Sequence, residues 1–375
     1  MLRKDSNHGY YRNGRPFAAD KRLVSAGVTI LRINGAHAAP QEAASLIERL
    51  RRSAGERARI MVDLPTNKVR VTNLSAPILF EPGDTFVLNS AQLNYPALCK
   101  LVRAGDEVII NNGIDRLRVT RVNPDAIEFQ TKFACRLDNN RGLIFVRDIH
   151  TPGFPFFFQR DLELIEVIND LNVDLVGLSY LRYESDKEAA LQRITNPHSL
   201  VYKIETRVAF NNFDTLIQPG EKILIDRGDL AGEIGLLHIP RAQDRLIRCA
   251  HRQRVDVYLA TQFLATMEHA PIPQIAEVCA LYDVIDLGIS GIQLSEETAV
   301  GKFPLEAVRW IRDVERLVNK QGRLRASPAN FVPAARKPPK PRTLGSAPVG
   351  AGLPEPTEKR ALLGDRGARR SASGT

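Results

Sequence analysis

Short apolar runs alternate with longer amphipathic stretches through most of the chain, and this alternation constrains the fold more than any other feature of the sequence. Seven of the runs have the apolar content that is typical of strands buried on both faces. They cover residues 28–34, 58–64, 173–179, 200–205, 222–228, 255–262 and 290–297. Helical periodicity lies between most of them, as at residues 40–53, 160–171 and 241–254. Strand and helix in this order predict an α/β fold of parallel βαβ units, and seven in succession favour a (β/α)8-type TIM barrel over an open sheet.

Residues 71–148 depart from this alternation of strand and helix patterns. The segment carries short β-like runs at residues 84–88, 106–111, 115–122 and 126–133, turn signals between them, and no convincing helical pattern. It predicts an inserted all-β lid domain. The insertion divides the predicted barrel into a first part, residues 21–70, and a second part, residues 149–320. Residues 1–20 form an N-terminal segment, and the pattern does not decide whether it is ordered.

The positive charge of the chain is concentrated towards its C-terminal end. The whole sequence has a formal net charge of +9. Residues 321–375 hold 11 Lys and Arg against 3 Asp and Glu, so most of that excess lies there. The segment is rich in Pro, Ala, Gly and Arg and has no apolar periodicity, which predicts a disordered basic tail. A weak contact with RNA or lipid head groups stays open, but a solvated tail is favoured and no specific nucleic-acid partner is predicted.

Several protein classes are disfavoured by what the sequence lacks. No run approaches the roughly 18 apolar residues of a membrane span, and the first residues lack the apolar stretch of a secretory signal. We therefore expect a cytoplasmic protein with no membrane partner. The four cysteines lie far apart and form no CxxC pair, so neither disulfides nor a zinc site are favoured.

Polar side chains stand where the apolar runs end. In a barrel enzyme the carboxyl ends of the strands carry the chemistry, and one charge there is usually only solvated, whereas a set of them indicates a site. The set is Asn34, Asp63, Ser179, Lys203, Glu205, Asp229, Thr261, Ser295 and Glu297.

Seven motifs on these strand ends resemble those of the pyruvate kinase family. They are LRINGAH (31–37), DLPTNKVR (63–70), SYLR (179–182), LVYKIE (200–205), RGDL (227–230), ATQFLATM (260–267) and LSEETAVGKFP (294–304). Their order is that of the family, and residues 71–148 fall where the family has its lid domain. The resemblance covers about residues 21–320, and it implies the family's barrel and a homo-oligomer.

The resemblance implies that the phosphoryl group of phosphoenolpyruvate passes to ADP, giving pyruvate and ATP. Such a transfer depends on positioning and on charge neutralisation, so it needs a divalent cation and basic side chains. Glu205 and Asp229 match the family's carboxylate ligands for Mg²⁺, or for Mn²⁺ in its place. Lys203 lies two residues before Glu205, on the same strand face, and matches the lysine that stabilises the transferring phosphoryl group.

Further matches concern the substrate. Arg32 matches an arginine at the substrate phosphate. The turn RGDL is expected to present the backbone N–H groups of Gly228 and Asp229 to the substrate carboxylate. Thr261 matches a residue beside the enolate face that is protonated. The implied catalytic residues are therefore Lys203, Thr261 and Arg32.

The nucleotide and a monovalent cation have matching positions as well. The nucleotide side corresponds to Asn34, His37, Arg70 and Arg141. The monovalent-cation region corresponds to Asn34, Asp63, Leu64 and Lys68. Potassium-independent members of the family carry Leu and Lys at the last two positions, where the ammonium of Lys68 can supply the charge of K⁺. We expect a requirement for Mg²⁺ but not for K⁺, while a solvated Lys68 without a catalytic role is the competing interpretation.

The sequence departs from the family at several places. The family's first barrel strand and its C-terminal domain have no recognised counterpart. Asn111, Asn112 and Arg141 stand where the lid carries an acidic pair and a nucleotide-binding lysine. Asp226 replaces a small residue just before the Arg-Gly-Asp, which should weaken anion binding unless its charge is paired or turned away. Glu296 replaces a glycine.

Two alternatives to a divergent pyruvate kinase stay open because of these departures. One is another enzyme on the same barrel that uses phosphoenolpyruvate or an α-keto acid with a different acceptor. The other is a non-catalytic protein that binds phosphoenolpyruvate or regulates a partner.

Overall fold

The computed structural model describes residues 2–4, 16–110, 115–150 and 154–326, with side-chain surroundings for residues 21–110, 115–150 and 154–320. Its strands in chain order are β1 (Leu2–Lys4), β2 (Ile30–Asn34), β3 (Arg59–Leu64), β4 (Ile78–Phe80), β5 (Thr85–Asn89), β6 (Glu107–Ile110), β7 (Asp115–Asn123), β8 (Ala126–Thr131), β9 (Cys135–Leu137), β10 (Ile144–Phe145), β11 (Leu175–Leu178), β12 (Leu200–Ile204), β13 (Lys222–Asp226), β14 (Asp256–Ala260) and β15 (Gly291–Gln293).

The helices lie mostly between strands of the main sheet. They are α1 (Pro16–Ser25), α2 (Pro40–Ala54), α3 (Gln159–Asp170), α4 (Glu184–Leu191), α5 (Arg207–Asn211), α6 (Phe213–Leu216), α7 (Arg227–Ile234), α8 (Ile239–Gln253), α9 (Ile275–Asp286), α10 (Glu296–Ala299) and α11 (Pro304–Ala326). The helical patterns at residues 40–53, 160–171 and 241–254 correspond to α2, α3 and α8.

The main sheet is parallel and follows the chain. Its order is β1-β2-β3-β11-β12-β13-β14-β15. All seven apolar runs predicted as strands are strands of this sheet, so the α/β prediction is confirmed. Within the described residues no pairing joins β15 to β1, and the closed eight-stranded ring therefore remains a prediction.

The strand β1 corrects one expectation from the sequence. We expected no strand before residue 28, yet Leu2–Lys4 pairs in parallel with β2, with Leu2 opposite Leu31 and Lys4 opposite Ile33. The pairing is made by backbone groups, which any sequence can supply. A three-residue run with two basic side chains gives no apolar signal, so the pattern did not indicate it.

Both faces of the sheet are buried, which explains the nearly continuous apolar runs. Side chains such as Ile33 and Val62 pack with Ile47 and Leu50 of α2 on the outer side. The alternate residues of the strands form a second, inner cluster, so the sheet curls around its own side chains. This inner cluster contains Ile30, Met61, Leu175, Val201, Leu224, Tyr258 and Ala260.

The strands β4 to β10, which we call the antiparallel insertion, lie in the segment predicted as all-β. Five of them form a sheet in the order β10-β6-β7-β8-β5, and β4 pairs with β9. The insertion has its own apolar cluster, which includes Leu88, Ile110, Phe129 and Leu137. Asn111 and Asn112 lie outside the described residues.

The last described helix runs into the segment predicted as the tail. We placed the start of the disordered tail at residue 321, and α11 continues to Ala326. Residues 327–375, and with them the rest of the predicted tail, lie outside the described residues. No described helix has the length and apolar content of a membrane span.

Candidate active site

A polar cavity of about 280 Å³ lies at the C-terminal ends of the main-sheet strands. The predicted site residues that line it are Arg32, Asn34, His37, Lys68, Arg70, Arg141, Ser179, Lys203, Gly228, Asp229, Thr261 and Ser295. The antiparallel insertion contributes Ile110, Asn139, Asn140, Gly142 and Ile144 to the same wall. The sequence prediction that the strand ends converge on one site is therefore consistent with the geometry.

Lys203 stands at the centre of the site. It is the fourth residue of β12, and its ammonium lies 3.0 Å from Glu205 Oε2, 3.5 Å from Asp63 Oδ2 and 3.6 Å from Asp226 Oδ2. The side chain is 4% exposed. Burial lowers the pKa of a lysine, but here the surrounding carboxylates raise the pKa of Lys203 above its ordinary value. The ammonium therefore stays charged inside the protein.

Glu205 is fixed by backbone geometry at the end of β11. Tyr180 has a positive φ of 52°, and its N–H donates to Glu205 Oε1 at 2.7 Å. The carboxylate is fully buried. Burial raises the pKa of Glu205, and the ammonium of Lys203 opposes that change.

The turn after β13 is tied to the turn after β14. Helix α7 begins at Arg227, so Gly228 and Asp229 lie in its first turn. The Arg227 guanidinium donates to the backbone carbonyls of Thr261 and Gln262 and lies 3.9 Å from the Phe263 ring centroid. Thr261 and Gln262 have φ values of 79° and 55°, which non-glycine residues adopt only when the surroundings impose it. This arrangement directs Thr261 towards the first turn of α7.

The charge of Asp226 is paired, and a paired charge is the condition under which no weakening of anion binding is expected from the sequence. Its Oδ1 accepts a hydrogen bond of 2.7 Å from the Thr261 hydroxyl, and its Oδ2 faces Lys203. Burial raises the pKa of such a carboxyl, but Lys203 and the Thr261 hydroxyl hold the pKa of Asp226 below its usual range. Asp226 therefore enters the site as a carboxylate beside the predicted anion-binding groups.

Lys68 points into the cavity, where it contacts a predicted metal ligand. Its Nζ donates to Asp229 Oδ1 at 2.5 Å and lies 4.9 Å from the Tyr180 ring centroid. Burial lowers the pKa of Lys68, and the Asp229 carboxylate opposes that change. A Cβ atom on Gly142 would lie 2.5 Å from Lys68 Cε, so the side chain passes close to a position where only glycine leaves room.

Arg32 and Asp63 form a buried ion pair on neighbouring strands. Arg32 Nη2 donates to Asp63 Oδ2, and both side chains are nearly inaccessible to solvent. Gly177 on β11 leaves the space that Asp63 occupies, because a Cβ there would lie 2.2 Å from Asp63 Oδ1. The arginine predicted for the substrate phosphate is thus held in place by a carboxylate.

The residues predicted on the nucleotide side all line the cavity. Asn34 Oδ1 accepts from the N–H of Ala36 at 3.1 Å, and Arg70 Nη1 donates to the carbonyl of Asn140 at 3.0 Å. Arg141 Nη2 lies 3.6 Å from Asp138 Oδ2. His37 is also one of the residues that line the cavity.

Four predicted residues are not part of the cavity lining, namely Asp63, Leu64, Glu205 and Glu297. Asp63 and Glu205 contact Lys203, which does line the cavity. Leu64 is fully buried among apolar side chains of the main core. Glu297 accepts from the N–H groups of Ser295 and Leu264 and so holds the turn before α10. Gly142 and Tyr180 were not identified as site residues from the sequence. Only the tyrosine carried a signal, because it lies within SYLR.

The donor set fits a hard divalent cation. One carboxylate oxygen from each of Glu205, Asp226 and Asp229 lies within 4.8 Å of the others. Oxygen donors with negative charge are those that Mg²⁺ and Mn²⁺ prefer. Two of the three residues are the ligands predicted from the sequence, and Asp226 joins them.

A curled parallel sheet with charged groups at its strand ends defines an α/β barrel-type protein whose site suits anionic ligands. Comparison with known proteins identifies the family. The chain matches the family model for the pyruvate kinase barrel domain over residues 16–308, and it belongs to the pyruvate kinase family.

Individual relatives are consistent with this assignment. The chain is 31% identical over 316 residues to a pyruvate kinase of Thermococcus litoralis, covering 79% of this chain and 65% of the relative. It is 29% identical over 320 residues to one from Borreliella burgdorferi, covering 81% and 66%. A pyruvate kinase of Mycobacterium intracellulare is 28% identical over 335 residues, covering 84% and 70%. The chain thus spans about two thirds of the length of these curated relatives.

Proposed function

We propose that this chain is a phosphotransferase that depends on Mg²⁺ or Mn²⁺ and moves the phosphoryl group of phosphoenolpyruvate to ADP. The observation that carries the proposal is the convergence of Lys203, Glu205 and Asp229: Lys203 and Asp229 line the cavity, and the buried carboxylate of Glu205 lies beside both. These residues come from two different strand ends, and each matches a functional position of the family. Family membership supports the same reaction.

In this reaction the bond between phosphorus and the enol oxygen breaks, and a bond forms between phosphorus and an oxygen of the terminal phosphate of ADP. The enolate that remains takes a proton at carbon and becomes pyruvate. Little covalent chemistry is required of the protein, which has to align the two oxygens and stabilise charge.

Glu205 and Asp229 are the residues that would hold the divalent cation. When bound, such a cation supplies positive charge to the phosphoryl oxygens and to the leaving enolate oxygen.

The basic side chains of the cavity are expected to position the substrate. Lys203 lies beside the metal-binding carboxylates and is placed to neutralise the moving phosphoryl group, and Arg32 is placed for its remaining oxygens. The N–H groups of Gly228 and Asp229, at the positive end of α7, would receive the substrate carboxylate. Thr261 stands on the side where we place the carbon that is protonated.

The nucleotide is expected on the side lined by Asn34, His37, Arg70 and Arg141. In this position the basic groups Arg70 and Arg141 meet the phosphates of ADP. The antiparallel insertion would then serve as the lid, with residues 71–148 as its extent and residues 21–70 and 149–320 completing the barrel. A closed ring, a homo-oligomer and a cytoplasmic location are further parts of the proposal.

Lys68 leads us to propose that the reaction needs no K⁺. Its ammonium is buried beside Asp229, where it adds one fixed positive charge to the cavity. Asn34, Asp63 and Leu64 complete the region where the family resemblance implies a monovalent cation.

A coupled assay tests the proposal directly. Purified full-length chain is given phosphoenolpyruvate, ADP and MgCl₂, and both pyruvate and ATP are measured. Equal amounts of the two products support the proposal. Calorimetric binding of phosphoenolpyruvate without either product would instead support a non-catalytic binding protein.

A different phosphoryl acceptor is a second candidate, favoured by the carboxylates that this chain adds to the family pattern. Glu296 lines the cavity, and Asp226 already engages the Thr261 hydroxyl. Both make the cavity more negative and therefore less favourable for a polyanionic nucleotide. Pyruvate formation with other acceptors and not with ADP would support this candidate.

A further inference from the structure

Asp226 is an acidic residue of the cavity to which the proposed reaction gives no role. It is the last residue of β13 and directly precedes α7. Its side chain is 16% exposed, so a carboxylate at this position is largely removed from water. Such a carboxylate needs positive charge nearby.

Internal contacts leave one oxygen of Asp226 available. Oδ1 accepts the hydrogen bond from Thr261, which fixes the orientation of the carboxylate. For Oδ2 the described residues offer Lys203 at 3.6 Å, a distance beyond a good hydrogen bond. The carboxylate is therefore held in place, and its Oδ2 accepts no hydrogen bond within the described residues.

The buried carboxylate of Glu205 is a second, independent observation in favour of a cation beside Asp226. Its Oε2 is buried and accepts no hydrogen bond within the described residues, although the ammonium of Lys203 lies 3.0 Å away. Buried carboxylate oxygens normally accept hydrogen bonds or bind a metal. Oxygens of Asp226 and Asp229 lie within 4.8 Å of a Glu205 carboxylate oxygen, so the three can face a single ion.

We propose that Asp226 is a third protein ligand of the divalent cation, and that it strengthens the binding of this cation in the absence of substrate. The inference rests on the proposed function, in which Glu205 and Asp229 hold the cation. With two protein carboxylates a hard cation depends on substrate oxygens to complete its charge compensation. A third carboxylate replaces one of those oxygens and makes the empty site more negative by one charge.

Titration of Mn²⁺ into the full-length chain without substrate tests this inference. Calorimetry gives the affinity, and electron paramagnetic resonance of free Mn²⁺ gives an independent count of bound ions. We expect the parent to bind one Mn²⁺ in the cavity. Asp226→Asn keeps the shape of the side chain, and we expect it to weaken Mn²⁺ binding by roughly 100-fold or more, because loss of a residue that only supports the ligands already costs about 10- to 100-fold.

Glu296→Gln is the matched control, because it removes one negative charge from the same cavity without touching the three-carboxylate cluster. Its Mn²⁺ affinity should equal that of the parent. If Glu296→Gln weakens binding as much as Asp226→Asn does, the effect is that of net charge and the inference is wrong. Thermal unfolding without metal verifies that each variant is folded, and Asp226→Ala replaces Asp226→Asn if the latter is not.

Asp229→Asn separates this inference from the proposed function. If Asp229→Asn abolishes Mn²⁺ binding while Asp226→Asn and Asp226→Ala leave it unchanged, the metal site stands and the third ligand is refuted. If neither Asp229→Asn nor Asp226→Asn changes the affinity, the cluster is not the metal site, and the proposed function fails together with the inference.

Discussion

Replacement of Lys68 by methionine tests whether a fixed charge makes this site independent of potassium. The ammonium is buried and bonded to Asp229 at 2.5 Å. A hydrogen bond between charged groups contributes roughly 1.5–3 kcal/mol. If the charge of Lys68 stabilises the transition state more than the ground state by this amount, its loss lowers the rate by about 10- to 150-fold. Methionine keeps most of the apolar stem, so the change removes mainly the charge.

The assay measures initial rates of pyruvate formation in potassium-free buffer, with a tetraalkylammonium salt holding the ionic strength constant. The parent should give the same rate before and after KCl is added. Lys68→Met should lose activity by the factor above and regain part of it with KCl, because K⁺ can enter the position that the ammonium leaves.

A second variant displaces the Lys68 side chain without replacing Lys68 itself. Gly142→Ala places a methyl group 2.5 Å from Lys68 Cε, so the Lys68 side chain has to shift relative to Asp229 while its charge remains in the protein. We expect a smaller loss in the same direction. Lys222→Met is the control, since Lys222 bonds the carbonyl of His198 at the opposite end of β13. A strong rise of the parent's rate with KCl, or a Lys68→Met variant as active as the parent, would refute the reasoning.

Three further predictions follow from other parts of the molecule. Lys203→Met should lower kcat by ~10²-fold or more with little change in KM, because its charge acts mainly in the transition state; a change confined to KM would leave it only a binding role. The pKa of buried Asp161 is raised to about 6 by burial, so its contribution to stability is present below pH ~4 and lost as the pH rises through 6. Denaturant unfolding of the parent should therefore show a loss of about 3 kcal/mol over that range that is absent in Asp161→Asn, and identical pH profiles would contradict it. Ending the chain after Ala326 should leave the melting temperature and activity unchanged, and aggregation of the shortened chain would show that the tail contributes to the fold.

The main sheet was predictable because both of its faces are buried. Each strand then consists of apolar residues that stand out from the amphipathic helices around it, as with residues 58–64 and 222–228. The convergence of Lys203, Glu205 and Asp229 followed from topology, since parallel strands end at one edge of the sheet. Motif order carried the rest of the site prediction.

Other features depend on contacts between segments that are distant in sequence. The hydrogen bond between Asp226 and Thr261 depends on the left-handed backbone of Thr261 and Gln262, which no local sequence pattern predicts. The approach of Gly142 to Lys68 joins the antiparallel insertion to the segment before it. Leu64 was placed in a site region by its motif, but strand alternation turns its side chain into the core.

The position of the antiparallel insertion affects how the chain folds while it is being synthesised. Strands β3 and β11 are neighbours in the sheet, with Met61 opposite Leu175, although more than one hundred residues separate them. At a synthesis rate of 5–20 residues per second, β3 waits roughly 5–20 s on the ribosome before β11 emerges. The insertion has an apolar core of its own and local strand pairings, so we expect it to fold during this interval. Its folded ends then bring β3 and β11 together, and the barrel avoids most of the entropy of closing so long a loop. Hydrogen exchange on nascent chains of increasing length, with protection in β7 and β8 preceding that in β3, is the order that this pathway requires.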